Sequence, residues 1–357
     1  MRRLFLLSLL ITFTLPTGGS PGAERSPQGR PLLTYAGARG GLCVARTDGT
    51  HPLRLTARWK GVSQPAWSPG GRYIAFVRIF GHDSNGDELS KITVADARGH
   101  IRWTFGEAPN NGLPLWAPDG RHIAYFFGWA HMGGLAVARR DGSDAHDVAT
   151  SPPFPTYGPN QPAWTADGQR LAFVNGDDVD LPQGIYSVRP DGGGLRLLVG
   201  EAVEPAFSPD GSKLAYVALA RSGQTGIFVA DTDGRNPRVL SSSAHAVLPT
   251  WSPDASHIAF LRDSAVVVAK VDGSGERVIS EEAGGSQVVS PPLWSPGGKL
   301  VAYSRAPSVG HGPGSLVVAR VDGGGKRVVL RRLKEYHFAW RPAIALPSAK
   351  RPRCPLR

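Results

Sequence analysis

The chain alternates short apolar runs with clusters of Gly, Pro, Asp and Ser, and residues 249–279 show one cycle. The run "LPTW" is short and extended. In "SPDA", proline presets φ at the second turn position and aspartate suits the third. The apolar run "HIAFLR" predicts a second strand. "AVVVAKV" is continuously apolar, as expected of a strand covered on both faces. "DGSGE" turns the chain again, and "RVIS" supplies a fourth strand. Four short antiparallel strands joined by tight turns make one propeller blade.

The cycle recurs. "PAWSPGGRYIAF" begins at Pro65, "PLWAPDGRHIAY" at Pro114, "PAWTADGQRLAF" at Pro162, "PAFSPDGSKLAY" at Pro205, "PTWSPDASHIAF" at Pro249 and "PLWSPGGKLVAY" at Pro292. A seventh copy, "FAWRPAIAL" from Phe338, starts and stops. The aromatic anchors Trp67, Trp116, Trp164, Phe207, Trp251, Trp294 and Trp340 are spaced by 49, 48, 43, 44, 43 and 46 residues. A sustained period in the forties marks a propeller or solenoid. The anchor fills space between neighbouring blades, and it recurs because each blade solves the same packing problem. Glycine usually holds the fourth turn position, where the chain reverses through left-handed φ. Ala255 replaces it in one copy, at about 1 kcal/mol.

The third strand ends in its own phrase, from "VARTDG" at Val44 to "VARVDG" at Val318, seven times in all. Asp-Gly here is hairpin chemistry rather than a metal or catalytic array. Six complete units lie between an N-terminal piece with strands two to four and a C-terminal "HFAW" with strand one alone. The expected fold is an all-β, closed β-propeller of four-stranded blades, seven in number: six complete plus one composite of N- and C-terminal strands. Closure removes sticky sheet edges. A six-bladed ring is the alternative, if the terminal pieces do not pair.

Composition adds compartment and charge. Residues 1–23 have a basic start, an apolar stretch of about twelve residues and then small residues, a secretory signal peptide too short to span a membrane. Residues 24–30 form a short linker, 31–343 the propeller and 344–357 a basic tail. Arg2 and Arg3 leave with the signal. Residues 331–357 carry eight cations against Glu335, a net +7, so about +2 of the formal +11 is left for the rest of the chain. The mature chain is expected to be exported, periplasmic or extracellular, with no stable membrane insertion, no nucleic-acid partner and a monomeric state. Cys43 and Cys354 are the only cysteines, and in an exported chain an even pair suggests a disulfide. Cys43 falls on the third strand of the composite blade and Cys354 lies fourteen residues past Trp340, whose strand completes that blade, so a Cys43–Cys354 bond is expected to latch the ring. The chain-entropy estimate for so long a loop is about 4–5 kcal/mol.

The repeated phrases resemble the WD40-like repeats of the TolB propeller family over residues 31–342. Similar repeats occur in the propeller domains of prolyl oligopeptidase-type enzymes and of oligogalacturonate lyases. The resemblance implies the fold, and TolB itself implies an exported propeller that binds envelope lipoproteins. The peptidases carry a hydrolase domain with a Gly-x-Ser-x-Gly elbow, and no such elbow lies within or after the repeats here.

The turns after strands one and three open on one face and are stereotyped. The loops after strands two and four open on the other face and vary, which makes that face the place to look for function. Residues 79–91 put Asp83, Asn85 and Asp87 at alternate positions, partly like a calcium loop, with glycine one place early. His131, His245 and His311 join them as metal candidates on this face, although a solvated loop is the favoured reading and no cofactor is assigned. Trp129, His131, Phe154, Tyr157, Asp177 and Asp178 are the candidate ligand or partner contacts; aromatic residues are enriched at interface cores. No catalytic set stands out. The favoured function is a non-catalytic scaffold for an envelope protein or glycan. The alternative is a metal-dependent hydrolase or lyase of lactonase or oligouronate-lyase type.

Overall fold

The computed structural model describes residues 32–342 and Cys354, apart from 38–39, 58, 85, 87, 110, 130–131, 151–160, 176–180, 220–224, 244, 281–285, 289, 308–313 and 334–336. Among these residues 29 strands form seven antiparallel sheets, and there is no helix. Blade 1 spans residues 62–109, blade 2 112–150, blade 3 163–200, blade 4 202–241, blade 5 246–278 and blade 6 286–333. Blade 7 is composite. Its innermost strand Phe338–Arg341 pairs with Leu32–Ala36, which is followed by Leu42–Arg46 and Leu53–Arg54. The register Leu33↔Trp340 and Tyr35↔Phe338 closes the ring. The seven-bladed expectation therefore holds and the six-bladed alternative does not. In blade 6 the inner strand is split into Ser286–Val288 and Leu293–Trp294, both on Leu300–Pro307. Pro291 and Pro292 lie at the break, and neither has a backbone donor.

The apolar core is distributed between blades. Val217, Ile227 and Val229 of blade 4, for example, pack with Trp251, Ile258 and Phe260 of blade 5. The anchor tryptophans do more than fill this space, because each buried indole N–H needs an acceptor. The Nε1 groups of Trp116, Trp251, Trp294 and Trp340 donate to the carbonyls of Ala66, Ala206, Thr250 and Leu293, at 2.8–3.1 Å. Each acceptor immediately precedes the anchor of the preceding blade. Trp164 repeats the bond to Leu115 at 3.3 Å. Trp67, next to the composite blade, donates instead to Thr34 Oγ1 at 2.8 Å. Phe207 has no such donor.

A second seam runs through the glycines that close the third-strand phrases. A Cβ on Gly99 would sit 1.6 Å from the Leu55 carbonyl oxygen of blade 7. One on Gly234 would sit 2.3 Å from that of Leu198 in blade 3. Both glycines have φ near +86°, so close approach and left-handed backbone together require glycine. The predicted strain at Ala255 is real: its φ is 56°.

Two stretches read as loops are largely strand. Residues 79–82 and 88–91 extend the blade-1 hairpin, with His82 paired to Glu88 past a bulge at Ile79/Gly81. Residues 128–129 and 132–134 likewise continue the blade-2 hairpin. Glycines in these segments suggested turns, but antiparallel pairing carries on through them.

The expected latch is present. Cys43 and Cys354 form a disulfide with Cα atoms 6.1 Å apart, across 311 residues of sequence. Cys354 N–H also donates to the Pro52 carbonyl at 2.9 Å. A Cβ on Gly37 would lie 2.7 Å from the Cys43 sulfur, so glycine there leaves room for the bond.

Two outcomes follow. Trp251→Phe keeps the ring but loses its hydrogen bond, and urea unfolding should show a loss of about 1 kcal/mol. Replacing both Cys43 and Cys354 by Ser should cost about 2–5 kcal/mol, and the untreated wild type should bind no thiol reagent. Reactive thiols in unreduced, unfolded protein would remove the latch.

Candidate binding site in the central channel

The innermost strands of all blades face the ring axis. Two residues before each anchor stands Pro65, Pro114, Pro162, Pro205, Pro249 or Pro292, with Phe338 in blade 7. Proline is tolerated here because an edge strand has no inward neighbour to receive its N–H, and it blocks pairing along that edge. The residue before each of these forms a ring around the channel: Gln64, Leu113, Gln161, Glu204, Leu248, Pro291 and His337. Five of them, all but Glu204 and Leu248, line a cavity of about 230 Å³ together with Phe338 and Ser290.

Four members of the ring are left-handed: Gln64, Leu113, Glu204 and Leu248, with φ of 50–59°. Each sits in a bulge where the register slips against the second strand. Such backbone is sparsely populated for residues with a side chain and persists only where its surroundings hold it. Here side chains do so, in pairs. Gln64 Oε1 accepts the Leu113 N–H at 2.5 Å, and Glu204 Oε2 accepts the Leu248 N–H. The bulge in one blade thereby pins the bulge in the next.

The two pairs differ in charge. Glu204 is only 6% exposed. Burial pushes its carboxyl up from 4.5 to about 7, against the smaller opposing effect of the Leu248 N–H. His337 opens on to the channel, yet protein encloses it closely enough that desolvation lowers its pKa. It is therefore a neutral imidazole at pH 7.

Several carboxylates elsewhere hold turns. Asp254 accepts from Ser252 Oγ at 2.6 Å, Ser256 Oγ at 2.7 Å and Ser256 N–H at 3.1 Å, which holds its pKa down at about 2. Asp210 and Asp272 make matching bonds in their turns. The Asp-Gly aspartates are turn residues, as their spacing suggested.

Of the predicted site residues, Asp83 is half-buried at the tip of the blade-1 hairpin, and His245 is exposed just ahead of blade 5. Trp129 ends the second strand of blade 2. Asn85, Asp87, His131, His311, Phe154, Tyr157, Asp177 and Asp178 lie outside the described residues. Among the described residues no group of three or more His, Cys, Asp or Glu is placed to hold a metal ion. The sequence reading missed Phe80. It is 49% exposed on the extended blade-1 hairpin, with the Lys91 ammonium 4.5 Å from its ring centroid. Nearby on the same face, the Arg78 guanidinium stacks 4.9 Å from Trp59. One signal was available: "YIAFVRIF" runs two residues beyond the equivalent "HIAFLR".

A profile of the family described as "TolB beta propeller domain" matches residues 113–344, well over half of the chain. The chain belongs to the TolB β-propeller domain family. The match runs from the inner strand of blade 2 to the inner strand of blade 7. An uncharacterized protein of Agrobacterium fabrum is 30% identical over 190 residues, covering 48% of this chain and 59% of that protein. The Tol-Pal system protein TolB of Thioalkalivibrio sulfidiphilus is 38% identical over 78 residues, 19% of this chain and 18% of that one. The chain thus spans less than two thirds of the curated relatives it matches. Among solved structures, TolB from Acinetobacter baumannii superposes with a TM-score of 0.54 at 15% identity, over 87% of this chain and 83% of that chain. This last likeness concerns the fold alone.

The raised pKa of Glu204 makes stability depend on pH. The folded carboxyl holds its proton up to about 7, the unfolded one only to about 4.5. Its contribution is full below pH 4.5 and is lost as pH rises towards 7, by about 3 kcal/mol in all. Glu204→Gln keeps the acceptor for Leu248 N–H and removes this slope. Urea unfolding at pH 4.5 and pH 8 should show the variant gaining on the wild type by about that amount; a constant difference would contradict the assignment.

Proposed function

We propose that the chain is an exported, TolB-like propeller that acts as a non-catalytic scaffold, holding an envelope protein or a glycan on its variable-loop face. The observation that carries this reading is the asymmetry between the two faces. On one, short Ser-Pro-Asp-Gly and Asp-Gly turns lock up their own polar groups. On the other, the blade-1 and blade-2 hairpins extend to His82 and Trp129. There Phe80 is exposed beside Lys91, and Trp59 stacks with Arg78. An exposed aromatic with a cation over its ring suits a protein loop or the face of a sugar. A rigid ring presenting variable loops is a common way to build a binding surface. Membership of the TolB propeller family supports the reading, as does the signal-like residues 1–23.

The test is crosslinking in the native envelope, comparing wild type with Phe80→Ala and with the pair Trp129→Ala and Tyr157→Ala. The wild type should capture a partner that both variants lose by about tenfold or more, the scale of a contact worth 1–2 kcal/mol or above. Equal capture by all three proteins would move the binding surface away from this face.

A further inference from the structure

Gln64 and Glu204 have the same structural task. Each is a left-handed bulge residue three places before its anchor, and each accepts the N–H of its counterpart in the next blade. Gln64 shows that a neutral amide performs this task. The carboxylate in blade 4 therefore adds nothing to the fold that glutamine would lack, and burying it without a counter-ion is costly. Among the described residues the only donor to Glu204 is the Leu248 N–H. The strands packed directly on its own contribute Lys213, Tyr186 and Tyr216 as titratable groups. Lys213 is paired with Asp231 at 2.7 Å, and Tyr186 donates to the Pro182 carbonyl. Glu201 and His245, just outside these strands, are exposed. Around the ring, His337 is neutral at pH 7.

We propose that the channel wall at Glu204 is a subsite for an alkylammonium group, with the Glu204 carboxylate as its counter-ion. The chemistry narrows the class of cation. One carboxylate oxygen is committed to Leu248 N–H, so only one remains. That suits the point charge of an ammonium better than the two-pronged fork of a guanidinium. Glu204 is the one carboxylate of the ring, and a single carboxylate supplies far fewer oxygens than a calcium ion takes. The ring at this level mixes Gln64, Gln161 and His337 with Leu113, Leu248 and Pro291, so that an alkyl stem extending from Glu204 towards Leu248 of the next blade has apolar surface to lie on. The subsite stands apart from the loop face, whatever that face holds.

The experiment is calorimetric titration of the full chain at pH 8 with n-pentylamine and with 1-pentanol, in wild type and Glu204→Gln. Pentylamine should bind the wild type at least about tenfold more tightly than pentanol does, and the variant should lose that preference. Pairing with an ammonium favours the ionised carboxyl, so binding at pH 6.5 should release a proton. Titrations of the wild type in two buffers of different ionisation enthalpy read this directly, without any variant. Competition by Nα-acetyl-lysine amide would identify a protein lysine as a source of the group; binding of free amine alone would identify a small amine. Equal amine affinity in Glu204→Gln, or no proton release from the wild type, would overturn the proposal.

Discussion

The bond from an anchor indole to the preceding blade's backbone is the constraint on which the ring depends. A four-stranded sheet this short buries too little to stand alone, so each blade must present a complementary face to two neighbours. Apolar contact between sheets is not directional. The indole N–H is: in five of the six tryptophan anchors it donates to the carbonyl before the neighbouring anchor, and in Trp67 to the Thr34 hydroxyl, and so sets the angle and height of one blade against the next. Repeated around the circle, the same offset brings Phe338–Arg341 alongside Leu32–Ala36. The composite blade then joins the two ends of the described chain in one sheet, and the disulfide ties a further segment to it.

The seam at Phe207 is where this rule lapses, and the neighbouring inner strand carries Glu204. Blade 4 therefore lacks the indole bond to blade 3 but makes a charged side-chain bond to blade 5. Blade 1, with Gln64 and Leu113, makes the neutral form of that bond. The bulges that these side chains support take the inner strands out of plain alternation and place one residue per blade around the axis. Structural and binding roles thus meet in the same short segment, the residues just ahead of each anchor.

The repeats are separable into parts that the sequence reveals and parts it conceals. Ser-Pro-Asp-Gly and Asp-Gly turns are legible because their conformations depend on local chemistry: proline sets φ, aspartate binds the next N–H groups, and glycine accepts left-handed φ. Ala255 was legible as an exception for the same reason. The bulges at Gln64, Leu113, Glu204 and Leu248 carry no comparable mark, since nothing in those side chains prefers a positive φ. They are held by a donor or acceptor some 44 or 49 residues away. The hairpin extension to Phe80 was half legible, as an apolar run two residues too long, but glycine at position 81 pointed to a turn. Of the candidate site, the aromatic and charged residues on the variable loops could be named, whereas the ring of channel residues could not.

By itself the sequence determined the blade unit and its turns and led to the expectation of seven blades, composite closure and a Cys43–Cys354 bond, while the pairing of Leu32–Ala36 with Phe338–Arg341 decided against six blades. The expectations follow from periodicity, from turn chemistry and from counting strands at the two ends. Only the tertiary structure decided which carboxylate carries an unusual charge state. Glu204 looks no different in sequence from any exposed glutamate, and its pKa is set by burial and by the Leu248 N–H of another blade. Likewise, enclosure by the surrounding ring disfavours protonation of His337 beyond that of an ordinary imidazole. Local propensities are written within a few residues, but desolvation is a property of everything that closes around a group.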